Sequence, residues 1–139
     1  MSQAAERGRV LIVDDDPSTR VSLEGLLAME HDVETVGSLD EALAALERAP
    51  VDVVLTDYEM PGGTGLELLS AIKEKHPNTM AIMLTGHPEL AEVRAAEAEA
   101  STARVLAKPY DPKRLLRWVT TTVQLARLRQ ATNALRHGR

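Results

Sequence analysis

Five short aliphatic runs alternate with five stretches of helical character, and no other feature of this chain restricts its fold as much. Residues 9–13, 32–36, 51–56, 80–84 and 103–107 read as strands. The third and fourth are apolar on both faces, the pattern of strands buried within a parallel sheet. Between them lie helical segments with their own start and stop signals. Pro17 opens one that carries Val21, Leu23, Leu26 and Leu27 on one face. Ser38 and Glu41 have capping-box spacing ahead of Leu39, Leu43 and Leu46, and Pro50 ends that helix. Leu66, Leu68, Leu69 and Ile72 mark a third, closed by Pro77. Residues 88–100 are Ala- and Glu-rich and helical by propensity, and Asp111 caps a final helix with Pro112 at its first position. Strand–helix alternation of this kind predicts an α/β fold, a parallel sheet covered by helices on both faces. Right-handed crossovers leave few topologies, and ligands of such sheets bind beyond the carboxyl ends of the strands.

Bulk properties narrow the function classes. A length of 139 residues suits one domain. Cysteine is absent, which excludes disulfides and thiolate metal sites. No apolar run approaches the roughly 20 residues of a membrane span, and the polar start of the chain lacks a signal-peptide core, so a cytoplasmic protein with no membrane partner is expected. The aromatics are Trp118, Tyr58 and Tyr110. The core is therefore aliphatic, and stacking platforms for single-stranded nucleic acid are missing. The net charge of −5 divides into −11 over residues 1–110 and +6 from Asp111 onward, where seven basic residues face one acid. That basic segment has no helix-turn-helix after it, so direct nucleic-acid binding is not expected.

The strand ends carry the chemistry. Asp14 and Asp15 follow the first strand, Asp57 the third, Thr85 the fourth and Lys108 the fifth. A parallel sheet collects all five at one edge. Clustered carboxylates repel one another and call for a hard cation with oxygen ligands, which suits magnesium. A carboxylate is also a nucleophile toward phosphorus, giving an acyl phosphate. A transferred phosphoryl group needs an ammonium and hydroxyl donors around its oxygens; Lys108 and Thr85 supply them. Singly, each residue has a plainer role: Asp14 to Asp16 as acids at a helix N-terminus, Asp57 as a turn residue, Thr85 as a strand end, Lys108 as a surface lysine.

At these positions the chain resembles the receiver domain of bacterial two-component response regulators. The matching elements are Val10-Leu-Ile-Val-Asp-Asp-Asp-Pro17, Asp57-x-x-Met-Pro-Gly62 with Gly65, Thr85-Gly86, and Lys108-Pro109. The resemblance implies a flavodoxin-like doubly wound sheet of order 2-1-3-4-5, spanning residues 9–125 between a disordered N-terminus (1–8) and a C-terminal helical extension or linker (126–139). It implies that Asp57 accepts a phosphoryl group from a sensor histidine kinase, a phosphotransfer protein or a small phosphodonor. Mg2+ would be held directly by Asp15, Asp57 and the backbone carbonyl of Glu59, and through water by Asp14. Thr85 and Gly86 would form the switch beside the phosphate, Lys108 would pair with its oxygens, and the Lys108–Pro109 bond would be cis. Such a protein catalyses only its own phosphorylation and dephosphorylation. The Glu59 side chain lies at a position that modulates the second of these.

Three residues depart from the family pattern. Val105 stands where an aromatic switch is usual, and Tyr110, after Lys-Pro, is the nearest ring in the chain to that relay. Thr64 replaces a frequent Asn or Asp, with little consequence expected, and Gly86 replaces a frequent Ala. Residues 88–100 offer few large apolar side chains, which suits a face that rearranges. In the last helix, Leu115, Leu116, Val119 and Val123 form the sheet-facing side. A second stripe, Trp118, Thr122, Leu125, Leu128, Thr132 and Leu135, has coiled-coil spacing and is expected to run past the sheet and support a homodimer or lead to an output domain. Two rival readings are a haloacid-dehalogenase-like phosphatase, with Asp14 of Asp14-x-Asp16 as nucleophile, and a receiver that works without phosphate.

Overall fold

The structure, a computed structural model, describes residues 7–99 and 103–136. Five parallel strands form the central sheet: β1 (Arg9–Val13), β2 (Asp32–Val36), β3 (Val53–Asp57), β4 (Met80–Thr85) and β5 (Ala103–Ala107), in the order β2-β1-β3-β4-β5. The helices are α1 (Pro17–Leu27), α2 (Leu39–Arg48), α3 (Gly65–Lys75), α4 (Ala91–Glu99) and α5 (Pro112–Arg136). This is the flavodoxin-like order that the resemblance implies. Two differences in boundary matter. Asp57 and Thr85 are the last paired residues of β3 and β4, so the sheet's own hydrogen bonds hold them. The fourth helix begins at Ala91 because Pro88 and Glu89 form a turn, with Leu90 N donating to His87 O. Ala100 lies outside the described residues.

Period-two alternation sends each strand's side chains to opposite faces. Leu11 and Val13 of β1, with Val54 of β3, pack under α2 and α3 against Leu46, Leu68 and Ile72. Val10, Ile12 and Leu55 pack under α1 and α5 against Leu27, Leu115 and Val119. Leu115, Val119 and Val123 are essentially fully buried, which stabilises the docking of α5 by about 2 kcal/mol per side chain. Caps fix three helix starts, the first through Asp16, whose side chain accepts from Ser18 N at α1. Ser38 accepts from Glu41 N, but the Glu41 carboxylate goes to Gly37 N, so the expected reciprocal box is only half made. Thr64 and Glu67 form a complete box at α3, which gives the unusual Thr64 a structural role.

The second stripe of α5 divides in two. Thr122 is fully buried and bonds Trp118 O, and Trp118 packs against the core. Only Leu125, Leu128, Thr132 and Leu135 face outward. The polar side of the same segment is tied down: Arg127 and Gln130 reach Asp52, and Asn133 reaches Asn78. At the other terminus, residues 1–6 of the segment expected to be disordered lie outside the described residues. Arg7 and Gly8 are hydrogen-bonded to Asp32 and His31.

Candidate functional site

The carboxyl ends of β1, β3, β4 and β5 bring together the residues singled out in the sequence. Asp14, Asp15 and Asp57 offer carboxylate oxygens all within 4.8 Å of one another. Lys108 Nζ donates to Asp57 Oδ1 at 2.7 Å, and Tyr58 N donates to the same oxygen at 3.0 Å. Asp57, Tyr58, Glu59, Thr85, Gly86, His87 and Lys108 line a cleft of about 190 Å3. The Lys108–Pro109 bond, which leads Lys108 into the site, is cis.

Three acids against one lysine leave the site short of positive charge. Burial pushes the Asp14 carboxyl above its usual range, and Asp57 and Asp15 push the same way; a backbone hydrogen bond from Asp16 and the charge of Lys108 oppose them. Burial by itself would lower the Lys108 ammonium, but its bond to Asp57 and the nearby acids win, and its pKa is raised. Lys108 is therefore a permanent cation here. This donor set, hard oxygens with unrelieved repulsion, fits a divalent cation such as magnesium. Asp14, Asp15 and Asp57 would hold it. Glu59 pairs with Thr64 in a two-residue antiparallel ladder just beyond β3, beside these acids in the chain.

Thr85 Oγ1 accepts from His87 N at 2.9 Å, so the hydroxyl is engaged by its own loop. A Cβ added at Gly86 would meet nothing within 4 Å, consistent with open access above Asp57. Gly65 differs: a Cβ there would lie 2.7 Å from Asp57 O and 3.0 Å from Met83 Sδ. Glycine at this spacing after the acceptor is a steric requirement, because α3 must start against the end of β3. Val105 is half-buried and its N–H donates to Glu97 at 3.3 Å. Tyr110 packs against the α1/α5 core, and burial raises its phenol pKa.

Two contacts at the site were not legible in the sequence. Arg20 of α1 donates to the Asp14 carbonyl at 2.8 Å, bracing the turn that presents Asp14 and Asp15. The Tyr58 hydroxyl donates to Glu92 of α4. The Tyr58 contact joins segments 34 residues apart, the Arg20 contact spans the single connection from β1 to α1, and neither residue belongs to a recognisable motif.

Comparison with known proteins agrees with this arrangement. The family model for the response regulator receiver domain matches residues 10–120. The chain is 36% identical over 119 residues to the hydrogenase transcriptional regulatory protein HoxA of Cupriavidus necator, covering 86% of this chain and 25% of that protein. It is 37% identical over 120 residues to the response regulator protein PilR of Pseudomonas aeruginosa, covering 86% and 27%. It thus spans about a quarter of the length of these relatives. A response regulator receiver domain protein (CheY-like) from Methanospirillum hungatei superposes with a TM-score of 0.81 at 28% identity, over 89% of this chain and 99% of that one. The phosphatase reading gives way to this match; it also required the 4%-exposed Asp14 to be the nucleophile. With this sheet, this acidic cluster and a family match over most of its length, the chain belongs to the response regulator receiver domain family of two-component signal transduction.

Proposed function

We propose that Asp57 is the phosphoacceptor of this receiver and that a sensor histidine kinase or phosphotransfer protein is the donor. The observation that carries the reading is the placement of Lys108 Nζ 2.7 Å from Asp57 within the acidic cluster. One Asp57 oxygen attacks the phosphorus of a phosphohistidine, or of a small donor such as acetyl phosphate. The bond from phosphorus to the donor breaks, the donor leaves with its electron pair, and an acyl phosphate forms on Asp57. Bound Mg2+ would supply charge neutralisation for the transferring oxygens, with Asp15, Asp57 and the Glu59 carbonyl as its ligands and Asp14 holding it through water. Lys108 stays protonated and exchanges its Asp57 partner for a phosphoryl oxygen. Thr85 gives up the His87 N–H and turns its hydroxyl to the phosphoryl group, while Gly86 keeps the approach open. Val105 and Tyr110 flank the route by which that movement leaves the site. Incubation with acetyl phosphate and Mg2+ followed by intact mass tests the reading: wild type gains one phosphoryl group and Asp57→Asn gains none. A wild type that stays unmodified would overturn it.

The Glu59 side chain sits on the rim of the same cleft, where a carboxylate can order or repel an attacking water. Glu59→Ala should change the acyl-phosphate lifetime by about threefold or more, and an unchanged decay removes the role. The outward row Leu125, Leu128, Thr132 and Leu135 is the surface for a homodimer through the C-terminal helix, or for continuity with an output domain, in a receiver that works inside the cytoplasm. No described helix is long and apolar enough to cross a membrane.

A further inference from the structure

The α4 helix is lightly attached to the body. Val93 is its one buried residue among those described. Between α3 and α4 lies a mainly apolar groove of about 350 Å3 whose lining includes Leu66, Leu69, Ile72, Ala95 and Ala96 together with the charged Lys73 and Glu92. Alanines fill α4 positions where larger side chains would close that space. Two carboxylates do the remaining work. Glu97 accepts from the backbone N–H of Val105, and Glu92 accepts from the Tyr58 hydroxyl. The second of these tethers ends on the residue that follows Asp57.

Tyr58 is fastened at both ends. Its N–H lies 3.0 Å from Asp57 Oδ1 and 2.9 Å from Leu84 O, and its carbonyl accepts from Gly65 N at 2.7 Å. The peptide group that orients the acceptor carboxylate therefore belongs to the residue whose ring reaches α4. Val105 offers no ring for that connection. We propose that Tyr58 is a positioning residue for Asp57 that couples the acceptor to α4 through Glu92, and that this latch belongs to the unphosphorylated arrangement. Because coupling is reciprocal, whatever rearranges at Asp57 loosens α4, and whatever holds α4 changes the reactivity of Asp57.

The inference rests on the phosphoacceptor reading of Asp57, and beryllofluoride with Mg2+ separates the two. Its dissociation constant and the amide exchange of residues 91–99 are measured for wild type, Tyr58→Phe, Glu92→Ala and the double variant. Without beryllofluoride, Tyr58→Phe should exchange faster over 91–99, approaching the beryllofluoride-bound wild type. It should also bind beryllofluoride about three- to tenfold more tightly, since no latch has to open. Glu92→Ala should do the same, and the double variant should go no further than either single one. Unchanged exchange and affinity in Tyr58→Phe overturn the proposal. Faster exchange with unchanged affinity also overturns it, because the contact is then structural only. A wild type that fails to bind beryllofluoride overturns the phosphoacceptor reading itself.

Discussion

Two aspartates frame β3, one before its first residue and one at its last, and each faces a cation from the C-terminal part of the chain. Asp52 accepts from Arg9 N, from Arg127 Nε and Nη2, and from Gln130 Nε2, at 2.8–3.2 Å. Burial by itself would raise its pKa, but these partners win and hold it below the usual carboxylate range. Asp57 has Lys108 and one backbone N–H, and its other neighbours are the carboxylates of Asp14 and Asp15. The first carboxylate is satisfied by the protein and serves as an anchor for α5. The second is left with like charges around it, a repulsion that a divalent cation would relieve. On one strand, complete satisfaction marks structure and incomplete satisfaction marks chemistry.

Substituting the two acids tests that contrast most directly. Asp57→Asn should abolish phosphorylation, a loss of about a hundredfold or more by intact mass, while leaving the denaturation midpoint unchanged or higher because a repulsive charge is gone. Asp52→Ala should reverse the pattern. Phosphorylation persists, but urea unfolding shows a loss of about 3 kcal/mol as Arg127, Gln130 and Arg9 N lose their acceptor. Equal damage to both properties from either variant would break the distinction.

Glycines at the active end sharpen it further. Gly65→Ala places a methyl against Asp57 O and should destabilise by about 1–3 kcal/mol by the same urea measurement. Gly86→Ala, with open space, should stay within about 0.5 kcal/mol.

The α1–α5 side carries a pH-dependent anchor with the smallest expected effect. His31 is buried, accepts from Gly8 N through Nδ1, and meets Thr120 Oγ1 through Nε2. Burial lowers its pKa from the ordinary 6.5. The neutral ring is the folded form, so its contribution is complete above 6.5 and is lost as pH falls through the lowered folded value. Thermal unfolding between pH 7 and 5 should show this decline, and His31→Gln should flatten that part of the profile.

Much of this was legible from local pattern. The α/β alternation follows from five aliphatic runs, while the strand order came from the family resemblance, because crossover handedness by itself leaves more than one topology. The five site residues follow from their places at strand ends, because a parallel sheet aligns those ends whatever the side chains are. Boundaries were less legible near prolines. Pro88 favours a helix start by composition, but the turn at 88–89 moves the start of α4 to Ala91. The spacing on α5 predicts one continuous seam. Its first half turned inward because Thr122 can satisfy its hydroxyl on Trp118 O and be buried at little cost.

By itself the sequence determined the element order, the α/β class and which acids gather at one sheet edge, all of which rest on local periodicity and on the alignment of strand ends. Only the tertiary structure decided that Asp52 anchors α5 and that Tyr58 reaches Glu92. Those pairs are separated by 75 and 34 residues. A polar side chain in a sequence shows what it can bond to; which partner arrives within 3 Å is set by how helices seat on the sheet.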